Sequence, residues 1–180
     1  ETYNVTSADV SRGYVEIKAV GDTYISHVGV TQNVTYPFSS NWDFTQSSYP
    51  EKIIEGKKGY LFANSGDVRL MMEVDATSGK LQDHNSDSYV LAGTTFKIPV
   101  ASTKDVITIT NYSTNGNTYN AAYTIGSEVV DKLQTKTYSP SKAEVAQGYA
   151  VMTVTSNDGN ICGIQVNHIE KEVITDTQLS

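Results

Sequence analysis

T-Y-N-V-T-S-A-D-V-S-R-G-Y-V-E-I-K-A, from Thr2 to Ala19, and T-Y-S-P-S-K-A-E-V-A-Q-G-Y-A-V-M-T-V, from Thr137 to Val154, are two versions of one stretch of chain. The offset is 135 residues throughout, pairing Tyr3 with Tyr138, Val10 with Val145, Gly13 with Gly148 and Tyr14 with Tyr149. After one inserted residue in the turn, Ile25, Val28 and Val30 match Ile161, Ile164 and Val166. Self-similarity of this kind is the mark of a repeat architecture.

The matched residues make sense as one supersecondary element. Thr6 and Ser141 are each followed three places later by an acid, Asp9 and Glu144, which is capping-box spacing for a short helical turn. Gly13 and Gly148 stand where that turn would end, in a conformation cheap only for glycine. A strand of period two should follow, with Val15, Ile17 and Ala19 on one face in the first copy and Ala150, Met152 and Val154 in the second. Gly21-Asp22, or Asn157-Asp158-Gly159-Asn160, then reverses the chain into another strand.

Two arrangements fit this pattern. Either residues 1–30 are a hairpin ending a preceding repeat unit and residues 31–166 form a complete β-sandwich module, or one sandwich carries both hairpins, one in each sheet. Residues 167–180 read as a linker or the start of the next unit. The chain opens at Glu1 in mid-pattern, as a matured or excised fragment would.

Between the copies the pattern stays β. Gly59–Ala63, Val68–Val74, Ser88–Ala92, Thr94–Val100, Val106–Ile109 and Thr118–Ile125 are strand candidates, separated by Asn-, Ser- and Gly-rich turns. Pro99 demotes its strand to an edge, or itself to a strand terminus. The expected fold is all-β, a sandwich of antiparallel strands with the N-terminal hairpin repeating the C-terminal one.

Composition excludes several functions. With 13 basic against 20 acidic residues the net charge is −7, and Lys57-Lys58 is the sole adjacent basic pair, so nucleic acid and anionic membrane are poor partners. No apolar run approaches the roughly 18 residues that span a bilayer. The single cysteine, Cys162, lies in an apolar run and reads as a buried thiol. His27, His84 and His168 are widely spaced and read as surface or turn residues, and the acids as solvated. No zinc spacing, P-loop or nucleophile elbow is present, so the chain is not expected to be an enzyme.

Two constellations could still carry binding. Asp83-His84-Asn85-Ser86-Asp87 opens like a calcium loop, with Asp83, Asn85 and Asp87 as candidate ligands. It lacks the following glycine, and Thr94 stands where a bidentate glutamate would fall, which excludes an EF-hand. A looser calcium site and an ordinary polar loop both remain. No other cofactor is indicated. The second constellation is aromatic. Flat rings stack on sugars while amides hydrogen-bond the hydroxyls, and two segments combine these groups: Tyr36 through Trp42 to Tyr49, and Asn111 through Asn120. Candidate ligand-binding residues are Tyr112, Asn115, Asn117, Tyr119, Trp42 and Tyr49, although Trp42 and Phe44 also suit a core strand. Tyr3, Tyr14, Tyr138 and Tyr149 recur at equivalent positions and belong to the scaffold. Sequons at Asn4, Asn33 and Asn111 match what chance gives in so Thr/Ser/Asn-rich a chain.

W-D-F-T at Trp42–Thr45, V-D-A-T-S-G-K-L at Val74–Leu81, G-T-T-F-K-I-P-V at Gly93–Val100, D-V-I-T-I-T at Asp105–Thr110 and G-Y-A-V-M-T-V at Gly148–Val154 form a recognisable series. It resembles an accessory β-sandwich module of large secreted proteins of gut and rumen bacteria, found beside pectate lyases and pectin esterases and in tandem-repeat surface proteins. The resemblance covers residues 40–166 and brings no catalytic residues. It implies an extracellular, non-catalytic domain of a bacterial surface or secreted protein. Three functions are expected from it: carbohydrate binding to a polysaccharide, adhesion to a host protein or glycoprotein such as an immunoglobulin, or a structural spacer between neighbouring repeat units.

Overall fold

Strands form where period-two alternation is sustained, because a pleated strand buries every second side chain. The computed structural model describes residues 2–12, 14–22, 24, 28–31, 37–46, 54–67, 70–84, 87–111, 122–131, 134–156, 158–169 and 175–178. The chain divides into two units, one of residues 1–33 with 173–180 and one of residues 34–172. The smaller unit opens with the helical turn α1 (Ser7–Arg12) and contains β1 (Gly29–Thr31). The larger contains β2 (Phe38–Asp43), β3 (Ile54–Glu55), β4 (Lys58–Phe62), β5 (Ser65–Gly66), β6 (Met71–Asp75), β7 (Lys80–His84), β8 (Asp87–Leu91), β9 (Thr95–Pro99), β10 (Val106–Asn111), β11 (Tyr123–Ile125), β12 (Glu128–Val130), β13 (Gln134–Tyr138), the turn α2 (Lys142–Gln147), β14 (Tyr149–Val154), β15 (Asp158–Ile161) and β16 (Gly163–His168). The last strand, β17 (Thr175–Gln178), returns to the smaller unit and pairs antiparallel with β1.

The larger unit is antiparallel throughout, as an all-β, sandwich-like fold. Its sheets run β13-β10-β16-β2-β5, β12-β11-β14-β9-β6-β4 and β15-β8-β7-β3. Their inward faces share one core. Trp42, Ile107, Ile109, Ile164 and Val166 come from the first sheet; Met72, Val74, Phe96, Ile98, Tyr123, Ile125, Ala150 and Met152 from the second; Leu81, Val90 and Ile161 from the third. Pro99 is the last residue of β9, a strand between β14 and β6, so proline here marks a strand end inside a sheet.

At the C-terminal end β16 continues two residues past 166. Residues 173–180, read as linker or the start of a next unit, group with residues 1–33. The two added residues of β16 bring His168 into a buried contact with Asp105. His168 Nδ1 lies 2.7 Å from Asp105 Oδ2, the two side chains 1% and 0% exposed, and the imidazole stacks on Phe38 at 4.2 Å. Asp105 Oδ2 also accepts the amides of Ala101 at 2.7 Å and Ser102 at 3.2 Å, which closes the turn before β10. His168 and Asp105 are therefore not the surface histidine and solvated acid that their isolation in sequence suggests.

The repeat persists at the level of individual hydrogen bonds. In the second copy, Glu144 Oε2 accepts the Tyr138 hydroxyl at 2.7 Å and the Ser141 amide at 2.7 Å, while the Glu144 amide donates to Ser141 Oγ at 3.3 Å. In the first, Asp9 Oδ2 accepts the Tyr3 hydroxyl at 2.7 Å and the Thr6 amide at 2.9 Å, and the Asp9 amide donates to Thr6 Oγ1 at 3.2 Å. Even the exit bond recurs: Gln147 Nε2 donates to the Tyr149 carbonyl at 2.8 Å, and Arg12 Nε to the Tyr14 carbonyl at 3.4 Å. Gly148 ends the second turn with φ +84°, a left-handed cap that a β-carbon would strain.

Beyond that turn the copies part. Tyr149–Val154 is a strand paired on both sides, to β9 and to β11. Residues 14–20, expected as a strand, carry no strand pairing among the described residues, and all are exposed. The same sequence pattern thus yields a core strand only where flanking strands receive it.

Two tests follow from this architecture. Trp42, the only tryptophan, is fully buried and donates from Nε1 to the Leu61 carbonyl at 2.9 Å. Trp42→Phe removes that donor inside the core and is expected to lower the unfolding free energy by roughly 1–3 kcal/mol, read as a shifted urea midpoint at constant slope. Burial pushes the Glu144 carboxyl up, but the hydrogen bonds from Tyr138 and Ser141 outweigh it and hold the pKa below the ordinary range. A depressed folded-state pKa stabilises above the unfolded value and is lost as pH falls through the folded one. The stability gap between the parent chain and Glu144→Gln should therefore be full near neutral pH and narrow as pH drops below about 4.5, measured by urea titrations across that window.

Candidate functional site

The peptide of Cys162, between β15 and β16, sits where three sequence features meet. Its carbonyl accepts the Phe44 amide at 2.9 Å and its amide donates to the Thr110 carbonyl at 3.0 Å. Gly163, the next residue, pairs with Asp43 on one side and Thr110 on the other. The ends of β2 and β10 therefore lie at the same end of the five-stranded sheet, flanking the start of β16. The first polar-aromatic segment, Tyr36 to Tyr49, thus contains β2 itself and runs on past Phe44, and the second, Asn111 to Asn120, begins at the end of β10.

Each stem is fixed by side chains suited to turns. Asp43 Oδ1 accepts the Thr45 amide at 3.0 Å, an Asx turn that sets the direction of the chain leaving β2. Asn64 braces the same residue, its Oδ1 accepting the Asp43 amide at 2.8 Å and its Nδ2 donating to the Asp43 carbonyl at 3.0 Å. Asn111 is buried and donates from Nδ2 to the Asp131 carbonyl at 2.9 Å. The returning strand is held at Ala122, whose amide donates to Ser156 Oγ at 2.7 Å and whose carbonyl accepts the Thr155 amide at 2.9 Å.

The third feature is the D-H-N-S-D stretch. It is a hairpin of β7 and β8 in which His84 pairs with Asp87 and Asp83 with Ser88. Ile161 pairs with Ser88, so Asp87 stands beside the Cys162 junction. Asp87 is almost fully buried and divides its oxygens, Oδ1 facing His84 Nδ1 at 2.9 Å and Oδ2 accepting Asn160 Nδ2 at 3.0 Å. Against a carboxylate acceptor, the Nδ1 of His84 is the protonated nitrogen. Tyr123 closes the cluster from the opposing sheet. Burial, with Cys162 and Asp87 nearby, raises its hydroxyl well above the ordinary tyrosine range and keeps it neutral. That hydroxyl and Ser88 Oγ are buried without a hydrogen-bond partner among the described residues.

This geometry redistributes the candidate residues. Trp42 leaves the ligand-binding set: with 0% exposure its ring has no face to offer a sugar. Tyr49, Tyr112, Asn115, Asn117 and Tyr119 lie outside the described residues, as does Asn85. For the calcium reading, the hairpin register is informative. Asp83 and Asp87 stand on opposite faces, since each pairs across the hairpin with a residue of its own side. Asp87, moreover, spends both oxygens inside the fold. Among the described residues no group of three or more His, Cys, Asp and Glu side chains is placed to hold a metal ion.

Sequence reasoning missed the Asp87–Asn160 contact, which joins residues 73 positions apart and leaves no local signature. It also left Tyr123 inside a strand candidate without a role. What the frame offers chemically is amides, hydroxyls and carbonyls on hydrogen-bonded stems, with the buried carboxyl of Asp87 already engaged by His84 and Asn160. Comparisons of the chain with protein-family models, with curated proteins and with solved structures find no match.

Proposed function

We propose that this chain is a non-catalytic extracellular binding module of a bacterial surface or secreted protein, and that its larger unit binds carbohydrate. The observation that carries the reading is the convergence of stems at Cys162-Gly163. A segment rich in tyrosine and asparagine follows Asn111, and a segment carrying Tyr49 follows Phe44; their stems lie at one end of one sheet, the usual way a scaffold presents a recognition surface. Tyrosine supplies flat area for a sugar ring, and asparagine supplies paired donors and acceptors for its hydroxyls. The resemblance to accessory modules found beside pectin-degrading enzymes points the same way. The non-catalytic part is supported by the two His–Asp pairs: Asp105 is fully buried and occupied by backbone amides, and Asp87 is held by Asn160.

A second reading, adhesion to a host protein such as an immunoglobulin, is favoured by the repeat. Linked copies of a weak site gain avidity without any new contact.

Affinity electrophoresis and calorimetry against pectin, glucan, xylan and mucin separate the two. Carbohydrate binding predicts retardation or heat with at least one glycan. Tyr112→Ala and Tyr119→Ala should each weaken it about tenfold, or ~1.4 kcal/mol, with an unchanged thermal midpoint. Silence across the whole panel sinks this reading, and specific retention of one protein from serum or intestinal secretion would establish the other.

A further inference from the structure

The first copy of the repeat has a preformed entry turn and an exposed strand sequence. In the second copy the same turn delivers β14 into a slot between two antiparallel strands. Ala150, Met152 and Val154 of β14 face the core, at 0%, 0% and 1% exposure. Register fixes the walls of the slot: Ala150 lies opposite Ile98 and Met152 opposite Phe96 on the β9 side, and Met152 opposite Ile125 and Val154 opposite Tyr123 on the β11 side. At the repeat offset the inward residues correspond to Val15, Ile17 and Ala19. Val15 is 41% exposed and Ile17 61% exposed. The turn before them is complete, with tyrosine, capping residue, acid and exit bond all in the geometry of the second copy.

The strands beyond show the same correspondence. Six residues separate the end of β1 at Thr31 from the start of β2 at Phe38, and six separate the end of β16 at His168 from the start of β17 at Thr175. In the larger unit β16 pairs with β2, Val166 opposite Ser40; in the smaller, β1 pairs with β17, Val30 opposite Thr177. β1 thus stands in the place of a β16, and β17 in the place of a β2.

From these two correspondences we infer that residues 2–31 are a docking element whose partner is the open body of another module of this kind, a polypeptide equivalent to residues 34–136, whose β2 counterpart would take the place that β17 holds beside β1. Residues 14–20 would enter that body between its counterparts of β9 and β11, as β14 does here. The fit is specific in its side chains. A slot lined by Phe96, Ile98, Tyr123 and Ile125 accepts small, large, small in β14, and the first copy offers valine, isoleucine, alanine at the same places. Extended main chain supplies the ladder on both sides, and the alternate side chains supply the selectivity, as in other cases of strand addition.

An extended chain tests this directly: residues 34–136 repeated immediately ahead of Thr2, in the junction that Lys136-Thr137 makes naturally. In the original chain, amides of residues 14–20 are expected to exchange at open-chain rates. In the extended chain they should slow about 100-fold or more, into the range of strand amides. Ile17→Asp in the extended chain should abolish that protection while residues 149–154 stay protected. A graft within the original length, residues 2–19 in place of 137–154, provides a second reading and should retain one cooperative unfolding transition. Protection that Ile17→Asp abolishes, or cooperative unfolding of the graft, upholds the assignment. Failure of both overturns it.

Discussion

Glu144 Oε2 accepts the hydroxyl of Tyr138 and the amide of Ser141, and β14, a strand paired on both sides, follows directly on that clasp. The clasp ties the end of β13, in the five-stranded sheet, to the first turn of α2. Gly148 then turns the chain through a positive φ and releases it as β14 in the six-stranded sheet. The clasp is therefore where the chain passes from one sheet to another. Tyr138 bears the mark of this position, its hydroxyl pushed up to about 12 by burial and by the Glu144 carboxylate. In the first copy the same clasp forms around Asp9. There the hydroxyl and amide of Thr6, then the Tyr3 hydroxyl, outweigh burial and pull the carboxyl down to about 2. Local sequence alone suffices to build the turn, since it forms in both copies. Local sequence does not suffice to build the strand.

That distinction explains what could be read in advance. Capping residues, glycine stops and alternating apolar residues act over fewer than ten positions, so the turn at 141–148 and the strands β4, β6, β8, β9, β10 and β14 were legible. Strands whose burial comes from distant neighbours were not. β7 reads Lys-Leu-Gln-Asp-His and β13 reads Gln-Thr-Lys-Thr-Tyr; one pairs between β8 and β3, the other lies at a sheet edge. Neither has the alternating apolar face that marks a strand from sequence: β7 buries Leu81 alone, and β13 lies at the rim of the five-stranded sheet with no buried residue. Residues 14–20 fail in the opposite sense, with the pattern of a strand and no neighbours to satisfy it. Asp105 and His168 fail because a buried pair joining residues far apart in sequence resembles two solvated residues until the fold closes.

The candidate site was legible by composition and not by geometry. The polar-aromatic segments Tyr36–Tyr49 and Asn111–Asn120 stand out in the sequence, but nothing local says that their stems share one end of one sheet. That follows only from β16 lying between β2 and β10. Trp42 was ambiguous for the same reason: its position in an alternating strand points inward, while its chemistry suits a ligand. Burial resolves the ambiguity, and its indole N–H is committed to the Leu61 carbonyl.

The placement of charge near Cys162 also bears on what kind of ligand the proposed surface would favour. Asp87 is beside the junction, yet its oxygens face His84 and Asn160, so its charge is compensated within the protein. Tyr123 stays neutral, its hydroxyl raised well above the ordinary tyrosine range by burial. Asp43 spends its carboxylate on Thr45 and Gln46. Groups that would repel or trap ions are thereby occupied in fixing the stems. Surroundings of that kind suit the proposed ligand, a sugar, whose many hydroxyls each gain little over water and which relies on hydrogen bonds and stacking, not on charge.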